Sequence, residues 1–155
     1  MAASEKTHTI VMADDDADDR VLVLDAFREA HFEGRMEFVA DGEELLRYLR
    51  RCVTAHGEGA SAEPAFVLLD LNMPNKDGHA ALAEIRADPA LKHLPIVVFS
   101  TSAQARDILA CYQGGANSYV VKPSSFDELS QLARKLSDYW LETVQLPSGP
   151  VSART

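Results

Sequence analysis

Residues Phe66–Gly78 read FVLLDLNMPNKDG, and this stretch decides the fold. Four apolar residues, Phe66 to Leu69, run directly into Asp70, after which Asn72, Pro74 and Gly78 turn the chain. An unbroken apolar run of this length predicts a strand buried on both faces, as in a parallel sheet. A carboxylate at its C-terminal end lies where open α/β sheets place their ligands. An isolated Asp in that position more often does no more than end a strand. This one has company: Asp14, Asp15, Ser100, Thr101 and Lys122 also stand at the ends of apolar runs.

Upstream, His8–Ala13 is a β-prone run that empties into the acids Asp14, Asp15, Asp16, Asp18 and Asp19. Leu22, Val23, Ala26, Phe27 and Ala30 then recur at helical spacing, with Asp16 as the N-cap. Met36–Ala40 reads as a second strand. Asp41–Gly42 opens a second helix with Leu45, Leu46, Leu49 and Val53 as its buried stripe. Ala55–Pro64 has no periodicity and reads as a surface loop.

Downstream, a third helix is predicted from about His79 to Ala87, and Ile96–Phe99 is another wholly apolar strand. Ala103–Gln113 is a fourth helix, stopped by Gly114–Gly115. Ser118–Val121 is a fifth strand ending at Lys122–Pro123. Ser125 caps a final helix of about twenty residues, reaching Val144 on an inner stripe of Leu129, Leu132, Leu136 and Trp140. Residues 1–7 read as a loose polar N-terminus, 8–146 as one domain and 147–155 as a tail. Five strands alternating with five helices imply a doubly wound parallel sheet with right-handed crossovers. All strand C-termini then face one edge, where the acids, Ser100 and Lys122 converge.

Composition narrows the function. At 155 residues, 46% hydrophobic and 25% charged, the chain suits one globular domain. A net charge of −9 argues against a nucleic-acid surface. Cys52 and Cys111 form no CxxC pair and read as reduced thiols of a cytoplasmic protein. No stretch approaches the apolar length of a membrane span. The polar start lacks a signal h-region. The five histidines are scattered, and no GxSxG, P-loop or GxGxxG occurs.

Asp14, Asp15 and Asp70 at one edge repel one another unless a cation neutralises them. All-oxygen ligands with room for water suit Mg²⁺. One carboxylate then remains as nucleophile toward a phosphoryl group, forming an aspartyl phosphate. Lys122 supplies positive charge for phosphoryl oxygens, and the Ser100 hydroxyl can donate to them.

Together, Asp14–Asp15, Asp70 within LLDLNMPNKDG, Ser100–Thr101, and Tyr119 shortly before Lys122–Pro123 resemble a bacterial response-regulator receiver domain. The resemblance covers roughly residues 8–146. It implies strand order 2-1-3-4-5, Asp70 as phosphoacceptor, and Mg²⁺ on Asp15, Asp70 and the Asn72 backbone carbonyl. Asp14 would hold a metal-bound water, Ser100 and Tyr119 would form the switch pair, and Lys122 would be the phosphate partner. Ser100 stands where Thr is commoner, and Ser124–Ser125 where an apolar residue is frequent. The segments ADDDADDR, DGEELLRYLRR and YWLETVQLP also resemble single-domain regulators paired with bacterial phytochromes. That implies a sensor histidine kinase as phosphodonor and a homodimer. The chain ends about ten residues after the fifth α/β unit, leaving no room for an output domain, so a phosphorylation-controlled binding module is expected and not a turnover enzyme.

Two rival readings fit the residues less well. A Mg²⁺-dependent phosphatase of the haloacid-dehalogenase type needs an Asp two residues after the nucleophile, where this chain has Asn72. An EF-hand reading of Asp14, Asp16 and Asp18 fails because Asp19 replaces the loop Gly and Asp25 the final Glu. For the dimer, Phe126, Tyr139, Leu141 and Leu146 are the apolar groups beyond a monomer's evident need, placing the interface on the last helix and the neighbouring fourth helix and fifth strand.

Overall fold

The computed structural model describes residues 7–54 and 63–147. The expectations for residues 1–6, for residues 55–62 of the predicted loop and for residues 148–155 lie outside it. The elements are β1 (Thr9–Ala13), α1 (Ala17–Glu29), β2 (Arg35–Val39), α2 (Gly42–Thr54), β3 (Phe66–Leu69) and α3 (Gly78–Ala87). They continue with β4 (Ile96–Ser100), α4 (Ala105–Gln113), β5 (Ser118–Val121), α5 (Phe126–Ser137) and a π-helical turn, Asp138–Thr143. The five strands form one parallel sheet in the order β2-β1-β3-β4-β5.

The period of two along each strand sorts the core into two layers. Val11, Ala13, Val67, Leu69, Ile96 and Val98 meet Leu45, Leu49, Leu82, Ile85 and Cys111 from α2, α3 and α4. Ile10, Met12, Phe66, Leu68, Val97 and Phe99 face the other way, onto Val23, Phe27, Leu129, Ala133 and Leu136 from α1 and α5. The continuous apolar reading of β3 and β4 follows from this, since helices cover both faces. Both cysteines are free and buried, and burial pushes the Cys111 thiol up to about 11, with Asp107 adding to the effect. That thiol is protonated and unreactive at neutral pH.

Helix ends obey the local chemistry. Asp16 caps α1 by accepting from the Asp18 and Asp19 amides, and Ser125 caps α5 through the Glu128 amide. The serine that departs from the family pattern is therefore an N-cap. Leu22 shares the helical spacing of the apolar residues of α1 but is exposed, because Val23, Ala26 and Phe27 occupy the sheet side. Two expectations need correction. In α2, Cys52 is buried and Val53 only half-buried.

The second correction concerns the final helix, which is not uniformly α. It widens into the π-turn over Asp138–Thr143, which ends where the Val144 amide meets the Tyr139 carbonyl at 3.1 Å. Such turns re-aim side chains. Trp140 lies with its ring centroid 6.0 Å from that of Phe66, and Leu141 and Leu146 pack onto the same layer. Of the four apolar residues expected to be spare, only Phe126 and Tyr139 remain exposed, at 41% and 51%.

Candidate functional site

The sheet order reverses direction between β1 and β3, and ligands of open α/β folds bind at that switch point. Asp14 follows β1 and Asp70 follows β3, and their strands are hydrogen-bonded neighbours. Their backbones are fixed by the sheet: the Asp14 amide donates to Val39 O and the Asp70 amide to Ala13 O, each at 3.0 Å. Asp14 is fully buried and Asp70 only 8% exposed, while Asp15 points to solvent. Carboxylate oxygens of all three lie within 4.8 Å of one another.

Lys122, arriving from the end of β5, enters this cluster. Its Nζ donates to Asp14 Oδ2 at 2.7 Å and Asp19 Oδ2 at 2.8 Å, and stands 3.5 Å from Asp70 Oδ2. Burial alone would lower the Lys122 pKa, but the bonds to Asp14 and Asp19 and the charge of Asp70 outweigh it and hold it above its ordinary value. For Asp70, burial acts first and raises the carboxyl above the usual range. Lys122 opposes that shift and Asp14 reinforces it. Asp19, read from sequence as a solvated helix start, is therefore part of the site. The signal was present in its spacing: it lies three residues past the N-cap Asp16, in the helix turn adjoining the strand end.

Ser100 ends β4 fully buried, and its Oγ accepts from the Ser102 amide at 3.2 Å. Tyr119 is half-buried against the core, and its hydroxyl donates to the Ser102 carbonyl at 2.8 Å. Ser102 thus links the two residues of the expected switch pair, and no sequence signal singled it out. Thr101 is exposed one residue beyond β4. Asn72 is also exposed, on the loop that follows Asp70.

Three convergent carboxylates form an all-oxygen donor set, which suits a hard divalent cation such as Mg²⁺. The site chemistry fits because the carboxylates are already close enough to share one ion. The two cysteines are elsewhere, in the α2 and α4 layers.

An acidic crevice holding the nearly buried Lys122, at the switch point of a 2-1-3-4-5 sheet, defines an open α/β class that takes its ligand at the strand ends. The model of the response regulator receiver domain matches residues 10–134, so the chain belongs to that family. It is 36% identical over 138 residues to the probable methanogenesis regulatory protein FilR2 of Methanothrix harundinacea, covering 89% of this chain and 86% of that one. It is 33% identical over 146 residues to the response regulator Rcp1 of Synechocystis sp., covering 94% of this chain and 97% of that one. Among solved structures, the phosphorylated cyanobacterial phytochrome response regulator RcpA matches with a TM-score of 0.81 at 37% identity. That match covers 92% of this chain and all of that one. The Mn²⁺-bound form of Rcp1 matches with a TM-score of 0.77, over 90% of this chain and 99% of that one. Membership of this family supports a phosphoryl-accepting regulator and removes the phosphatase alternative.

Proposed function

We propose that Asp70 accepts a phosphoryl group from the phosphohistidine of a sensor histidine kinase, and that residues 8–146 are the receiver unit. The observation that carries this is Lys122 held 3.5 Å from a buried Asp70 beside Asp14. Mg²⁺ would be held by Asp15, Asp70 and the Asn72 carbonyl, with Asp14 acting through a water. When bound, the ion offsets the carboxylate charge and the charge of the incoming phosphoryl oxygens. Asp70 attacks phosphorus, the phosphorus–nitrogen bond to histidine breaks, and the nitrogen keeps the electron pair. Lys122 then exchanges carboxylate partners for phosphoryl oxygens. A phytochrome-type kinase is favoured by the likeness to RcpA, and a cytoplasmic signalling role without turnover or nucleic-acid binding accords with the acidic composition. The test is acetyl phosphate with and without MgCl₂. The wild type gains an acid-labile phosphate with the metal, and Asp70→Asn gains none; equal labelling of that variant sinks the reading.

The output runs through Ser102. The Ser100 hydroxyl would leave the Ser102 amide to donate to the new phosphoryl oxygens, freeing the loop whose carbonyl anchors Tyr119. A population shift needs such differential contacts. Ser100→Ala leaves Asp70 labelling largely intact but loses the phosphorylation-dependent change near Tyr119, read as NMR shifts of α4 and β5. Shifts like those of the phosphorylated wild type would refute it.

The exposed Phe126 and Tyr139, together with Leu109, Tyr112 and Val121 of α4 and β5, favour a homodimer on that side. Sedimentation at micromolar concentration shows about twice the 17.0 kDa chain mass. Phe126→Ser with Tyr139→Ser shifts it toward monomer. A wild type that stays monomeric, phosphorylated or not, rules the dimer out.

A further inference from the structure

Asp41 is a buried carboxylate, 6% exposed, and is not among the three acids of the crevice. One of its oxygens has an ordinary job. Oδ1 accepts the Glu44 amide at 2.9 Å while Glu44 Oε1 accepts the amide of Ala40, the residue before the cap, at 2.8 Å, a variant of the capping box at the start of α2. The other oxygen reaches 34 residues along the chain, accepting Asn75 Nδ2 at 2.7 Å. Beside it, the Gly42 amide donates to Lys76 O at 2.8 Å. A Cβ at Gly42 would lie 2.7 Å from that same carbonyl, so glycine permits the approach. Lys76 in turn pairs with Glu43 of α2 and Glu84 of α3.

These contacts seize the tip of the loop that follows Asp70. Asn75 sits there at φ 63°, a left-handed conformation that costs most residues energy and that Asn tolerates. The base is closed separately, by the Gly78 amide on Leu71 O at 3.0 Å. A Cβ at Gly78 would lie 2.2 Å from the Asp70 carbonyl. Asn72 lies between the two anchors, and its carbonyl direction depends on both.

We propose that Asp41 is a positioning residue for the metal site: by gripping Asn75 it fixes the loop that presents the Asn72 carbonyl. This rests on the reading of Asp70 given above. Asp41 touches neither the ion nor the phosphoryl group; it acts as the outer partners of metal ligands do, by restricting the ligand's orientation. It also ties the start of α2 to the site, a link that the acidic crevice itself does not supply.

The test is calorimetric titration of the purified full chain with Mg²⁺. Asn75→Asp sets a second carboxylate against Asp41 and breaks the grip. Its added negative charge would by itself tighten Mg²⁺ binding, yet the loosened carbonyl is expected to weaken it about ten-fold. The reciprocal pair D41N/N75D restores one amide donor facing one carboxylate, at the wild-type net charge, and recovers the affinity. Should N75D not fold, Asn75→Gly removes the grip without added charge while permitting the left-handed φ, and must show the same weakening. Mg²⁺ bound by N75D or N75G as tightly as by the wild type, or no recovery in D41N/N75D, overturns the proposal. A wild type that binds no Mg²⁺ defeats the Asp70 reading itself, whatever the Asn75 variants do.

Discussion

Lys122→Met destabilises the metal-free protein by roughly 3–5 kcal/mol, the usual cost of removing one partner from a buried ion pair. Lys122 is nearly buried, with its side chain 10% exposed, and Asp14 is wholly so. Methionine fills much of the same volume but leaves Asp14 and Asp70 facing each other with no cation between them. A divalent ion binds those same carboxylates, so Mg²⁺ stabilises the variant more than the wild type. At a hundred times its dissociation constant, the ion contributes about 2.7 kcal/mol. Denaturant unfolding with and without MgCl₂ measures both effects. An unchanged midpoint without metal, or a Mg²⁺ gain no larger than in the wild type, contradicts the role given to Lys122.

Asp70→Asn acts in the opposite direction. Burial, then Asp14, raises the Asp70 carboxyl above its ordinary 3.8, with Lys122 partly opposing. A raised folded value means that stability from this group is fully present below pH 3.8 and is lost as pH rises through the folded value. At neutral pH the ionised Asp70 therefore costs stability in the metal-free protein, and asparagine removes the charge at nearly constant shape. The melting temperature rises by roughly 2–4 °C for each kcal/mol of repulsion relieved. The gap between variant and wild type closes as pH falls through the carboxylate range. Added Mg²⁺ reverses the order, because the wild type gains a ligand that the variant lacks. A metal-free variant less stable than the wild type at pH 7 goes against this electrostatic account.

Much of this architecture was legible because burial on both faces leaves a strong mark. The runs Phe66–Leu69 and Ile96–Phe99 carry no polar residue, so their place in the middle of a parallel sheet follows from composition alone. Asp14, Asp70 and Lys122 were legible because each ends such a run, and topology brings strand ends together. Leu22 could not be told from its neighbour Val23, because a helical stripe cannot decide between adjacent apolar residues until a partner surface fixes its phase. The π-turn at Asp138–Thr143 leaves the apolar spacing almost unchanged, yet in and after it Leu141 and Leu146 pack, half-buried, against the core. Asp19 and Asp41 were missed for a different reason. Each lies among other acids or at a helix start, where a capping role already accounts for it. Only the folded chain brings Asp19 to Lys122 and Asp41 to Asn75.

The central claim is that the phosphoryl group resides on Asp70, and borohydride trapping tests it most directly. An aspartyl phosphate is an acyl phosphate, which borohydride reduces to the alcohol of homoserine, leaving a permanent mark. The protein is treated with acetyl phosphate and MgCl₂, reduced, digested and sequenced by mass spectrometry. Homoserine is expected at position 70 in the peptide containing Phe66–Gly78, absent when the metal is chelated beforehand. A mark on Asp14 or Asp15, with Asp70 intact, contradicts the claim.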